Sequence, residues 1–361
     1  MAASLSKLVA DCKCLAIIGT EKNAGKTTVL NYLLAADRRA DLAITSIGYD
    51  GEDIDQVTGT DKPSVYVGRG TLVATAVDLL GQCDFTRELL RFTGFYTPLG
   101  EVVILRALSD GYAMIAGPST TSQMTRLTRM LQQEKAGRII IDGAAARRSS
   151  AAVSTADGCI LATGASYSPD PDVIVEHTRH IADLLTLPAA DNVPETIFQT
   201  LRQAEDSSEN SFGAAHAIDC FIIDSDNQIT DSASSFDDSA ADLISAKKTR
   251  PLRVFFIGAV TARLIQKILE RSRSLQGLQL IAADGTRFLL SPAQFDELRR
   301  RGAELAVIKP VNLLAVTVNP KSPEGFCLDS SVLCQKLKTV LSVEVFDIMA
   351  YRESYDQPAT I

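Results

Sequence analysis

The chain has 361 residues, 46% hydrophobic and 22% charged, with a formal net charge of −8 and no tryptophan. That length suffices for two domains that each bury a core, while an acidic balance without tryptophan excludes the basic, aromatic-interleaved stripe of a nucleic-acid surface. No apolar run nears the roughly 20 residues that span a bilayer, and Met1 through Lys7 lack the pattern of a secretory signal, so a cytoplasmic chain with no membrane role is expected.

The first apolar run, residues 15–18, leads into Gly19-Thr20-Glu21-Lys22-Asn23-Ala24-Gly25-Lys26-Thr27-Thr28 and then into a helical pattern from Val29. Strand, glycine-rich loop and helix in that order form a phosphate cradle: glycines let backbone N–H groups close on phosphate oxygens, and the helix N-terminus adds partial positive charge. Gly19, Asn23, Ala24, Gly25, Lys26, Thr27 and Thr28 are the candidate nucleotide-binding residues, with ATP and Mg²⁺ as expected cofactors. Lys26 would reach the β- and γ-phosphates and Thr27 would ligate Mg²⁺. Five residues separate Gly19 from Gly25, one more than in the general Walker A pattern; the plain alternative is a turn that binds nothing.

A strand over 43–47 ends in Gly48-Tyr49-Asp50-Gly51-Glu52-Asp53 on the same sheet edge. Asp50 is placed there to contact Mg²⁺ or an attacking water, the alternative being a solvated acidic loop. Gly68-Arg69-Gly70 reads as a loop opening a helix over 72–80, with Arg69 either reaching an anion or exposed in a turn. Strands over 102–108 and 112–116 flank Asp110-Gly111, which predicts a type I′ hairpin joined antiparallel to the sheet. Next, Gly117-Pro118-Ser119-Thr120-Thr121-Ser122-Gln123 caps a helix, with Thr120 and Gln123 spaced as a capping box and Met124, Leu127 and Leu131 toward the core. Ile139-Ile140-Ile141-Asp142-Gly143-Ala144 has the form of a Walker B segment, an apolar strand ending in a carboxylate near Mg²⁺. Asp142 is therefore the metal-side candidate unless it merely caps the strand in a turn. Lys26, Asp50 and Asp142 are the catalytic candidates, and Thr27, Asp142 and Asp50 the metal ligands. Arg147 and Arg148 read as solvated, or as a charge offered to a partner or nucleotide.

A strand over 159–162 closes this series, so residues 1–188 read as an α/β nucleotide-binding domain with a mostly parallel sheet and helices on both faces. Residues 189–250, rich in Ser, Asp and Asn, read as a linker and loop-rich segment. Residues 251–361 read as a smaller α/β domain: strands over 254–257, 278–282, 306–308, 313–318 and 343–348, and helices over 261–273, 292–301 and 333–341. Arg299-Arg300-Arg301 falls at a helix C-terminus, where it complements the dipole. Seven cysteines, an odd number, suit a reducing compartment, with Cys12 and Cys14 as small apolar thiols entering a strand. His177 and His180, spaced to share one helix face, read as packing or surface residues.

The Gly19–Thr28 segment resembles the P-loops of dethiobiotin synthetases and cobyrinic acid amide synthases, within the class that contains the MinD-type ATPases. Glu21 stands where MinD-type ATPases carry an additional lysine. The acid-Gly-Ala of Asp142-Gly143-Ala144 resembles the corresponding strand end of dethiobiotin synthetases, where the acid is Glu. A longer set of segments resembles the small P-loop subunit of the reactivase for lysine 5,6-aminomutase, an adenosylcobalamin- and pyridoxal-phosphate-dependent enzyme. It comprises Thr45-Ser46-Ile47-Gly48-Tyr49-Asp50-Gly51-Glu52, Val57-Thr58-Gly59-Thr60, Thr97-Pro98-Leu99-Gly100-Glu101-Val102-Val103-Ile104, Arg106-Ala107-Leu108-Ser109-Asp110-Gly111-Tyr112, Ala116-Gly117-Pro118-Ser119 and Ile140-Ile141-Asp142-Gly143-Ala144. The resemblance implies an ATP-dependent maintenance factor that acts with a larger mismatch-repair-like ATPase subunit to release damaged cobalamin from a cobalamin-dependent aminomutase. A dethiobiotin-synthetase-like ligase of cofactor biosynthesis and a nucleotide-binding scaffold with negligible turnover are the alternatives.

Overall fold

The computed structural model describes residues 4–37, 41–48, 65–145, 150–207, 219–224, 228–235, 238–247 and 251–353. The chain forms two compact units, one of Met1–Ala182 with Asn312–Ile361, the other of Asp183–Val311. In the first unit, β1 (Cys14–Gly19) is followed by α1 (Lys26–Ala36), β2 (Leu42–Ser46), β3 (Val65–Val67), β4 (Leu72–Ala76), β5 (Arg87–Thr97), β6 (Gly100–Ala107) and β7 (Gly111–Ala113). Then come α2 (Thr121–Gln133), β8 (Arg138–Ala145), α3 (Ser150–Thr155), β9 (Gly158–Gly164) and α4 (Pro171–Leu185). The second unit holds α5 (Glu195–Ser207), β10 (Cys220–Ile223), β11 (Ile229–Ala233), α6 (Ser239–Ala246), β12 (Leu252–Phe256), α7 (Ala262–Arg271), β13 (Leu278–Ala282), α8 (Pro292–Arg300) and β14 (Glu304–Val307). The chain then returns to the first unit as β15 (Leu313–Asn319), α9 (Ser330–Val340) and β16 (Glu344–Asp347).

Nine strands of the first unit make one sheet in the order β16-β15-β9-β1-β8-β2-β4-β6-β5. The seven from β16 to β4 run parallel, and β6 and β5 add antiparallel at the edge. All six residues of β1 are buried, as a strand covered on both faces requires. Leu15 and Ile17 pack with Val29, Leu30 and Leu33 of α1 and with Ile44, Ile140, Ile160 and Ala315 of the flanking strands. At the N-terminal edge the buried Arg138 pairs with Asp37 at 2.7 Å and donates to the carbonyls of Val9, Ala10 and Cys12.

In the second unit the order is β11-β10-β12-β13-β14, with β12, β13 and β14 parallel and β10 antiparallel to both neighbours. Its core joins Cys220, Val254, Phe256, Ile265, Leu280 and Leu298. Arg301 donates to the carbonyls of Leu269 and Ser272 at the end of α7, and Arg300 and Arg301 both pair with Glu297. The basic cluster thus serves a neighbouring helix C-terminus as well as its own.

Four expectations are corrected. Residues 313–319 and 344–347 belong to the first sheet rather than to a domain spanning 251–361. Within 189–250, read as linker, lie α5, β10, β11 and α6 of the second unit. Residues 72–76 are a strand and 77–82 a 3₁₀ turn, because a run buried on both faces carries no periodicity that separates strand from helix. Asp110-Gly111 closes no hairpin between β6 and β7: β7 pairs with β3 in a separate ribbon, and the hairpin of this region joins β5 to β6. Gly111 is needed for space instead, since a Cβ there would strike the Asp84 carboxylate and Phe85.

No helix among the described residues is long and apolar enough to cross a membrane. All seven cysteines are free thiols.

Candidate functional site

In this sheet β1 has β8 on one side and β9 on the other, and the chain reaches β2 through α1 before returning to fill both positions. The crossovers therefore diverge around β1, and the crevice beyond the strands' C-terminal ends is where an open α/β sheet accepts ligands. The loop from Gly19 to Gly25 lies there.

Backbone sterics explain its composition. A Cβ on Gly19 would meet the Glu21 carbonyl at 2.9 Å and the Lys26 Nζ at 3.0 Å. Gly25 has φ +97 and Asn23 φ +61, left-handed values that glycine and asparagine tolerate best. Lys26 opens α1, and its Nζ donates to the Glu21 carbonyl at 3.2 Å, so the ammonium folds back across the cradle. Thr20 N–H donates to the Ala162 carbonyl of β9 at 2.8 Å, which holds the loop's first turn to the neighbouring strand. The Thr20 hydroxyl is buried without a hydrogen-bond partner among the described residues. Thr27 and Thr28 sit half-buried in the first turn of α1 and Ala24 is buried.

Glu21 is half-buried. Burial pushes its carboxyl above the ordinary value, more than the nearby Ser166 hydroxyl and Lys26 ammonium pull it down.

Asp142 lies on β8, level with Ile17 of β1 and Ser46 of β2. Its carbonyl accepts the Ile47 N–H at 3.0 Å. The Gly117-Pro118-Ser119 turn packs on the same edge. Ser46 Oγ donates to the Ile115 carbonyl at 3.1 Å and accepts the Gly117 N–H at 3.3 Å, and Pro118 O accepts the Gly48 N–H. Gly117 is required there, because a Cβ would strike the Ser46 carbonyl. Thr120 caps α2 by accepting the Gln123 N–H, the first of the capping box's two bonds. The sheet therefore brings Lys26, Thr27, Asp142 and the 117–120 turn to one edge.

Arg69 is not among them. It precedes β4, whose parallel alignment with β2 puts its start at the opposite edge of the sheet, and its N–H donates to Asp110 Oδ1 at 2.7 Å. Asp50, Arg147 and Arg148 lie outside the described residues.

Two contributors carry no mark in the sequence. Asn319 ends β15, 296 positions from Asn23, yet its Nδ2 donates to the Asn23 carbonyl at 3.2 Å. Its Oδ1 accepts the Lys321 N–H, so both ends of the amide are engaged and Asn319 acts as a strut under the loop. The turn after β9 is fixed to the same residue: Ala165 N–H donates to the Asn319 carbonyl, and a Cβ on Gly164 would strike it. His180 is buried on α4, and His177 stacks on Tyr167, both packing roles.

The set fits a nucleotide and its magnesium ion. The Lys26 ammonium and the Glu21 carbonyl close on Gly19 so tightly that a Cβ there would meet both, and Thr27 and Asp142 carry oxygen donors of the hard type Mg²⁺ takes. Among the described residues no group of three or more His, Cys, Asp or Glu side chains forms a metal cluster; an ion here would take Thr27, Asp142 and phosphate oxygens as ligands, and Asp50, the third expected ligand, lies outside the described residues. No family model, curated protein or solved structure matches this chain.

Proposed function

We propose that the chain is a P-loop ATPase of the nucleotide-switch type, acting as the small subunit of an ATP-dependent factor that restores cobalamin-dependent aminomutases. The observation that supports it best is Lys26 reaching back across a glycine-walled loop to the Glu21 carbonyl, with Asp142 on the adjoining strand. Gly25, Lys26 and Thr27 would hold the phosphates, and Thr27 with Asp142 would hold Mg²⁺. The Mg²⁺ supplies charge neutralisation at the β- and γ-phosphates when bound.

In this scheme Lys26 exchanges the Glu21 carbonyl for phosphate oxygens, and the Glu21 segment is released from that contact. A larger ATPase subunit would read the difference between the two states, since a switch works by binding its partner unequally in each. The client-side coenzyme and the mismatch-repair-like partner are carried by the sequence resemblance.

The test has two stages. Lys26→Ala should lower affinity for a fluorescent ATP analogue at least tenfold with the fold intact by circular dichroism; unchanged affinity and turnover would remove the nucleotide assignment. Recovery of an inactivated adenosylcobalamin-dependent aminomutase is then followed with this chain, its ATPase partner, ATP, Mg²⁺ and fresh coenzyme, omitting each in turn. Recovery that is equally fast without this chain or without ATP rejects the reactivase role. Rapid turnover stimulated by a small carboxylic acid points to a ligase.

A further inference from the structure

We infer that Tyr167 is the platform on which the base of a purine nucleoside triphosphate stacks; this rests on the nucleotide reading of the Gly19–Thr28 loop. The phosphate end is fixed by Gly25 and Lys26, and the carboxylate of the site, Asp142, stands on β8. Magnesium and the reacting phosphate belong on that side, so the nucleoside extends to the other side of β1, over the ends of β9 and β15.

There the turn of Gly164, Ala165, Ser166 and Tyr167 leaves β9. Ala165 N–H donates to the Asn319 carbonyl at 2.9 Å, and Tyr167 N–H donates to the Gly164 carbonyl at 3.2 Å. Ala162, near the end of β9, is level with Gly19 and accepts the Thr20 N–H of the loop at 2.8 Å, so the turn that carries Tyr167 leaves the sheet beside the cradle's wall. Its ring lies parallel to the His177 imidazole, with centroids 3.8 Å apart and planes 6° from parallel, and the residue is still 39% exposed.

A tyrosine held by backbone bonds, backed on one face by a second ring and still partly exposed, is preorganised to receive a flat heteroaromatic ring at little ordering cost. Among nucleobases the two-ring purines offer the larger stacking face. The amide of Asn319 is engaged at both ends, so recognition at this end rests on stacking.

The experiment compares ATP with inorganic tripolyphosphate, which keeps the phosphate contacts and lacks the base, each displacing a ribose-labelled ATP analogue. Tyr167→Ala should weaken ATP about tenfold, within the range that loss of one base–aromatic stack produces, and leave tripolyphosphate unchanged. Tyr167→Phe should retain wild-type affinity for both. Unchanged ATP affinity in Tyr167→Ala, alongside loss in Lys26→Ala, overturns the platform and leaves the P-loop reading standing. Equal weakening of ATP and tripolyphosphate in Tyr167→Ala also overturns it, since the residue then only supports the cradle. Wild-type protein that binds neither ligand overturns the nucleotide reading, and the platform with it.

Discussion

Gly25→Ala concentrates two penalties in one methyl group. Gly25 sits at φ +97, where an L-residue is strained by about 1–3 kcal/mol, and the new Cβ would lie 3.0 Å from the Asn319 Cβ. Asn319 has little freedom to retreat, because its amide bonds both Asn23 and Lys321 and its backbone is registered against Gly164 in the sheet. Overpacking against such a neighbour adds about 1 kcal/mol, so holding the native loop conformation would cost about 2–4 kcal/mol. The loop can escape by leaving that conformation, so global stability should fall by less than this total. Affinity for an ATP analogue, which needs the native loop, should bear the whole of it, about 30- to 1,000-fold. Urea denaturation and analogue titration measure the two effects separately. Asn319→Gly removes the opposing Cβ, so in a double-mutant cycle it should return the contact portion, about 1 kcal/mol, and none of the backbone strain. Wild-type affinity in Gly25→Ala, or a cycle with no coupling, would refute the account of how this loop is held.

Asp142→Asn keeps the shape of the side chain and removes its charge, so turnover should fall at limiting Mg²⁺ while nucleotide affinity changes little; hydrolysis measured across Mg²⁺ concentrations reads this, and a profile matching wild type reduces Asp142 to a turn residue. Arg138→Met leaves the Asp37 carboxylate and three carbonyls without their common donor, which should cost about 3–5 kcal/mol in denaturant unfolding; a loss under about 1 kcal/mol would show that water replaces the guanidinium at no cost. Glu21 binds its proton more tightly when folded, so wild-type stability should decline as pH rises from the ordinary value of 4.5 through the raised one. Glu21→Gln should remove that decline and match or exceed wild type at pH 7, and an identical pH profile for the two proteins would contradict the burial of this carboxyl.

Residues whose neighbours lie close in sequence were legible. β1 and β8 are continuous apolar runs ending in Gly and Asp, and α2 begins with Thr120 accepting the Gln123 N–H, as their spacing implies. The 11-residue β5 escaped notice because its alternation is broken by irregularities between Leu89 and Arg91 and between Phe92 and Tyr96, and because Leu89, Phe92 and Tyr96 point to solvent. β15 and β16 were read as strands and assigned to the wrong sheet. Nothing local tells an apolar strand that its parallel partner is β9, some 150 residues earlier, rather than β14 just before it. The same blindness hid Asn319, which in sequence is only an asparagine before a proline.

That misassignment bears on how a nucleotide state could be transmitted. The second unit, Asp183–Val311, is inserted between β9 and β15, which are hydrogen-bonded neighbours in the sheet. Its entry falls in the last turn of α4, the helix that carries His177 under Tyr167. Its exit leads into β15, whose last residue braces Asn23 and abuts Gly25. Both covalent connections of the second unit therefore run through elements that touch the loop or the turn beside it. In the proposed scheme, movement of Lys26 off the Glu21 carbonyl would be felt first by those same elements. A chain built to change its partner's affinity needs such a link between a small ligand site and a separate folded surface. A ligase that retains and turns over a small substrate at the sheet edge has no comparable need of it. The insertion point is thus an argument for the switch that is independent of the resemblance, and it identifies the last turn of α4, where the second unit begins at Asp183, as the place where coupling should be cut first.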